Sequence, residues 1–218
     1  MDGENRRTIR VLHVDDDAQF LRTAADLLER ENDALTVATE TDPDAVLERL
    51  TEGAVDCLVT GYEMPGTDGI ELLQSVREEF PDLPVILFTA KGNEAVASEA
   101  IAAGVTDYLR KDATASQYAV LANRVEGAVR QYRAERDLAR ETSMFDALME
   151  NVPVGIYFKN TDGEHVRVSE YQCRQYGEGG LRTPEGERLS EPSEFVGKTD
   201  PDIYPEELAA ESYADDMR

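Results

Sequence analysis

Between Thr8 and about Arg130, short and nearly all-apolar runs alternate with segments in which apolar residues recur every three or four positions. The runs Ile9–Val14, Leu35–Ala38, Val55–Thr60, Val85–Thr89 and Thr106–Leu109 predict five strands. Helices are predicted over Gln19–Arg30, from Asp44, over Ile70–Phe80, over Glu94–Ala103 and from about Ser116. Thr41-Asp42-Pro43 reads as a helix start, and Gly53, Pro81 and Gly104 as stops. Strands that are apolar on both faces belong to a parallel sheet with helices above and below it. Five such units predict a doubly wound α/β domain of strand order 2-1-3-4-5, in which ligands meet the carboxyl ends of the strands.

The last helix continues past that domain. Leu121, Val125, Ala128 and Tyr132 keep helical spacing toward Leu138, Phe145 and Leu148, and no Pro or Gly interrupts Ala128 to Val152. One connecting helix is predicted, and its charged stretch Arg133–Asp137 suits a solvated or a two-stranded linker. Glu135 and Asp146 fall near the seam of the heptad, so the single helix and the dimerising coiled coil both stay open. After Asn151-Val152-Pro153, Val154, Ile156 and Phe158 alternate, Thr161-Asp162-Gly163 marks a turn, and Val166 and Val168 alternate back as a hairpin. Glu170–Glu194 is Gly-rich and charged, and shows no face to bury. The expected division is a disordered leader over 1–7, a first domain over 8–130, a helical linker over 131–150 and a second domain over 151–218.

The net charge of −24 comes from 46 acidic against 22 basic residues. The acids are spread through the periodic segments, which predicts a solvated folded surface and a protein adapted to extreme salt, of the haloarchaeal acidic type. Such a field repels phosphate backbones, and no helix-turn-helix pattern is present, so direct DNA binding is not expected. Cys57, in an apolar run, and Cys173, in a polar stretch, make neither a disulfide framework nor a metal site. A reducing cytoplasm is the expected compartment. The leader lacks the apolar core of a signal peptide, and the run around Val85–Phe88 is too short to span a bilayer, so a soluble chain is expected. His13 and His165 stand alone in strand-like runs, where packing is their expected role.

Candidate chemistry gathers at the predicted strand ends. Asp15 and Asp16 follow the first strand, where two adjacent carboxylates suit a hard cation such as Mg²⁺, although Asp16 or Asp17 would serve equally as a helix cap. The third strand runs into Gly61-Tyr62-Glu63-Met64-Pro65-Gly66, and Thr67-Asp68-Gly69 opens the next helix. Thr89 ends the fourth strand, and Tyr108-Leu109-Arg110-Lys111 closes the fifth. Together these positions closely resemble the receiver domain of two-component systems, which has the flavodoxin-like fold.

The resemblance implies that the residue three before Met64-Pro65 is the aspartate that takes a phosphoryl group from a histidine kinase, and here it is Gly61. It implies Asp15, Asp16 and the chain at Glu63 as a Mg²⁺ site, weakened by the missing carboxylate. It further implies Thr89 as donor to a phosphoryl oxygen, Lys111 as its cationic partner, and Tyr108 as an aromatic that moves with Thr89. An aspartyl phosphate needs a carboxylate oxygen in line with phosphorus, and glycine has only a hydrogen. Thr60 sits one place too early, so alternation turns its side chain away. Glu63, longer and two places later, is expected at the rim. Asp112 stands where receivers commonly carry a cis proline, and without proline a cis bond costs about 3 kcal/mol, so that loop geometry is not assumed.

The hairpin and the tail Phe195–Ala209 resemble the first part of a PAS sensor domain. The three strands that complete such a sheet would lie beyond Arg218, so either the chain is truncated or the half-domain needs a partner. The expected function is a receiver-PAS signalling protein, not an enzyme, which cannot be phosphorylated and acts by binding a histidine kinase or other signalling proteins, with a homodimer through the linker helix. Two alternatives stand beside it. Gly61 is a natural or introduced loss in an otherwise phosphorylatable regulator, or the PAS-like part is a ligand sensor.

Overall fold

Strands β1 (Ile9–Val14), β2 (Leu35–Glu40), β3 (Cys57–Thr60), β4 (Val85–Thr89) and β5 (Asp107–Arg110) form one parallel sheet of order β2-β1-β3-β4-β5. This computed structural model describes residues 8–91, 94–112, 114, 116–175 and 180–209, so the expectation of a disordered leader over 1–7 lies outside the described residues. Every residue of β3 and β4 is buried, as helices on both faces require. The covering helices are α1 (Ala18–Glu31), α2 (Val46–Glu52), α3 (Gly69–Glu79), α4 (Glu94–Ala102) and the long α5 (Ser116–Asn151), with a 3₁₀ turn over Pro43–Ala45 before α2.

Alternation along β1 sorts the core into two layers. Val11 points into a cluster with Ala24 and Leu28 of α1, Val59, Phe88, and Leu121 and Val125 of α5. Leu12 and Val14 point into the opposite cluster, with Val46 and Leu50 of α2, Leu58, and Leu72 and Val76 of α3. Each fully buried aliphatic side chain contributes roughly 2 kcal/mol by leaving water. These layers hold the carboxyl edge of the sheet still.

α1 starts at a cap, because the Asp17 carboxylate accepts from the Gln19 amide at 2.8 Å and the Phe20 amide at 2.9 Å. Of the two cap candidates it is therefore Asp17, which leaves Asp15 to the crevice and Asp16 exposed. α3 begins with a reciprocal capping box between Asp68 and Glu71. Gly69 is required here by close approach, since a Cβ on it would lie 2.0 Å from the Gly61 carbonyl oxygen.

The chain divides into two compact units, 1–136 and 137–218, and the division falls within α5. No proline interrupts that helix, as its spacing predicts, and its turns over 134–144 are exposed on every face. In the second unit β6 (Tyr157–Lys159) and β7 (His165–Val168) form the predicted antiparallel hairpin.

The expectation that Glu170–Glu194 buries nothing is corrected. It contains α6 (Glu170–Arg174) and the small hairpin of β8 (Leu181–Arg182) and β9 (Arg188–Leu189). α7 (Pro192–Phe195) and α8 (Asp200–Ile203) follow. Cys173 and Leu189 pack with Val168, Phe195 and Ile203 in a small core. Elements of two to five residues are too short to write a period into the sequence, so their buried positions look like loop. Beside this core the Lys159 ammonium lies 2.5 Å from Asp200, whose other oxygen is 3.6 Å from Nε2 of the buried His165.

Candidate functional site

The backbone ladder runs one residue past the ends of the strands. The Asp15 amide donates to the Glu40 carbonyl at 3.2 Å, the Gly61 amide to the Val14 carbonyl at 2.9 Å, and the Lys111 amide to the Thr89 carbonyl at 2.8 Å. Residues 15, 61 and 111 are thereby set in one row at the carboxyl edge, the crevice of a doubly wound sheet.

Asp15 is only 5% exposed, and both of its oxygens are engaged. Oδ1 accepts from the Asp17 amide at 3.1 Å, and Oδ2 lies 2.5 Å from the Lys111 ammonium. That ammonium also sits 4.0 Å from the centroid of the Phe20 ring and 5.6 Å from that of Phe88. A cation on an aromatic face gains from the ring quadrupole, more so out of water. Asp16, by contrast, is exposed.

Gly61 has no left-handed backbone angle, so nothing in the chain path itself demands glycine. A Cβ there would meet Asp15 Oδ2 at 2.8 Å, and the carboxylate that pairs with Lys111 is what crowds the position. Thr60 is buried, and its hydroxyl donates to the Gly61 carbonyl at 3.1 Å, away from the crevice as its alternation predicts.

Glu63 stands at the rim, where its carboxylate is held by the Lys91 ammonium. That hydrogen bond raises the Lys91 pKa. Thr89 is 4% exposed and its hydroxyl accepts from the Lys91 amide at 3.2 Å. Tyr108 is half-buried against the cluster of Ile70, Leu87, Val96 and Ala100, whereas Phe20 and Phe88, which seat Lys111, belong to the other cluster.

The fold implies Mg²⁺, but the donors do not converge on one. Among the described residues no group of three His, Cys, Asp or Glu side chains is placed to hold a metal. Asp15 is closed by Lys111, Asp16 faces solvent, and Glu63 turns to Lys91 instead of toward them.

Sequence reasoning did not single out Phe20, Phe88 or Lys91. Phe88, next to Thr89 in an apolar strand, and Phe20, in the first turn of α1, read as ordinary core, and only the folded chain brings them to Lys111. His13 is fully buried, edge-on to Phe20 at 5.7 Å, with neither ring nitrogen hydrogen-bonded among the described residues. Burial, and then the Lys111 charge, lower its pKa to about 4.

A five-stranded parallel sheet with an acidic residue, a threonine and a lysine at its carboxyl edge defines a receiver-type signalling module. The response regulator receiver domain family matches residues 11–122, and the chain belongs to that family. The transcriptional regulatory protein ResD of Bacillus subtilis is 36% identical over 138 residues, which is 63% of this chain and 52% of ResD. The chain thus spans about half the length of that relative. The chemotaxis protein CheY-3 of Vibrio cholerae is 34% identical over 118 residues, 53% of this chain and 90% of CheY-3. A receiver domain from Clostridium thermocellum superposes with a TM-score of 0.52 at 26% identity, covering 58% of this chain and 98% of that one. These matches establish two-component signalling as the class.

Proposed function

We propose that this is a receiver-PAS signalling protein whose receiver is not phosphorylated and works by protein-protein interaction. One observation carries the reading. Position 61, in the row with Asp15 and Lys111, has no side-chain oxygen, and the hydroxyl of the adjacent Thr60 turns to a backbone carbonyl. The side chain that would attack phosphorus in line is missing, and the one carboxylate oxygen beside the position, Asp15 Oδ2, is paired with Lys111.

Partners of this class are a histidine kinase or other signalling proteins, met through the surface of the unphosphorylated receiver. The output passes along α5 toward the second unit, whose hairpin and short helices support the PAS-like reading. Leu138 and Leu148, 66% and 47% exposed on α5, are the surface on which a second copy would pair. Among the described residues no helix is long and apolar enough to cross a membrane.

The test is incubation with acetyl phosphate and with candidate kinases. The expected result is no label, and a hydroxylamine-sensitive phosphoadduct in the crevice would sink the reading. The alternative, a regulator that has lost only its acceptor, is supported by the ordinary backbone at Gly61. Phosphotransfer to a Gly61→Asp variant separates the two: uptake of label favours the alternative, and an inert variant favours the interaction module.

A further inference from the structure

All four lysines of the chain sit on carboxylates: Lys91 on Glu63, Lys111 on Asp15, Lys159 on Asp200 and Lys198 on Glu187. The pair in the crevice is unlike the rim pair beside it. The Lys91 side chain is 73% exposed, whereas that of Lys111 is 17% exposed and its partner Asp15 7%. Lys111 is also seated on Phe20, a support that a hydrated ion in the same place would not use.

Asp15 Oδ2 is the oxygen that faces position 61, and the Lys111 ammonium is 2.5 Å from it. A divalent ion reaching that oxygen would have to displace Lys111 and leave a largely buried ammonium against two aromatic rings without its counter-ion. Losing one partner of a buried pair is strongly destabilising. Asp15 Oδ1 is held by the Asp17 amide, and exposed Asp16 alone is a poor site for an ion that gives up its waters reluctantly.

We propose that Lys111 is a tethered cation: it has taken possession of Asp15 and closed the crevice to divalent metal, so that the receiver keeps its charge balance, and its partner-binding state, without Mg²⁺. The inference rests on the reading that Gly61 ended phosphoryl transfer in this crevice.

Mn²⁺ binding to the full chain, followed by water-proton relaxation with Mg²⁺ as competitor, provides the test. The parent and Lys111→Arg should show only weak surface binding. Lys111→Met, which keeps the stem on Phe20 and removes the charge, should gain a Mg²⁺-competed site at least about tenfold tighter, as expected when a buried like charge is removed. The gain should vanish when Asp15→Asn is added. A parent site that depends on Asp15, or a Lys111→Met variant that binds no better than the parent, would overturn the proposal.

A second measurement needs no variant to fold. Acetic anhydride should label Lys91 quickly and Lys111 slowly, and Mg²⁺ should leave the Lys111 rate unchanged. A Lys111 rate that rises on adding Mg²⁺ would show displacement by metal, and the tether would be wrong. Failure here is distinct from failure of the interaction reading: a chain that binds Mn²⁺ through Asp15 yet takes no label from acetyl phosphate loses only the tethered cation.

Discussion

His13 shows how burial at a single residue becomes a property of the whole domain. Its folded pKa near 4 lies below the ordinary 6.5, because burial and the Lys111 charge both oppose protonation. Below pH 6.5 the unfolded chain takes up a proton that the folded chain refuses, so stability falls as pH drops from 6.5 toward 4. Linkage gives a loss of about 2 kcal/mol between pH 7 and pH 5 from this group alone. Urea midpoints measured at both pH values should show that drop in the parent and a much smaller one in His13→Leu. An equal drop in both proteins would place the acid sensitivity on other groups. Gly69 offers a second residue-scale test. A methyl group there would lie 2.0 Å from the Gly61 carbonyl oxygen, backbone that cannot swing aside. Gly69→Ala should therefore cost about 3 kcal/mol, in the range of overpacking, where an exposed helical glycine would gain from the same change.

Gly127 is that exposed glycine, and it belongs to the argument about elements. It sits within α5, with nothing within 4 Å of where its Cβ would be, so no contact explains it. Glycine in a helix interior costs about 1 kcal/mol relative to alanine. Gly127→Ala should raise the melting temperature of the first unit without altering partner binding. A neutral or lowered melting temperature would show that the helix is not continuous at this point in solution. The neighbouring turns bury Val125 and Val129 on one face and carry polar pairs on the other: Arg130 and Glu126 pair at 2.9 Å, and the Gln131 amide donates to Glu135 at 2.9 Å, each four residues apart. Such pairs contribute a few tenths of a kcal/mol apiece.

At the scale of the molecule, α5 is the stretch of chain that joins the receiver to the second unit, and the proposed signal path is tested there. Two residues inserted after Arg133 rotate the far end by roughly 200° at 3.6 residues per turn, and seven residues bring it nearly back into phase. The two-residue insertion should change self-association in sedimentation and partner capture in pull-downs, and the seven-residue insertion should do much less. Parent-like behaviour of both would reduce the helix to a tether. The net charge of −24 bears on the same experiments, since self-repulsion weakens with ionic strength, and association through Leu138 and Leu148 should tighten as salt rises.

The receiver fold was legible in the sequence because its signals are local. Apolar runs of four to six residues and helices of seven or more carry their period with them, and Asp15, Gly61, Thr89 and Lys111 could be placed at strand ends by counting along the chain. That position 61 is a glycine is likewise a fact of sequence. Tertiary structure decided which partner each charge takes. Lys111 meets an aspartate 96 positions away, and Glu63 goes to Lys91 because two loops happen to converge. The seat on Phe20 and the full burial of His13 depend on how α1 lies on β1. The small core of the second unit was hidden for a related reason, its elements being shorter than the period that would reveal them. Periodicity is written residue by residue, whereas the pairing of charges is a competition among long-range neighbours that only the packed chain resolves.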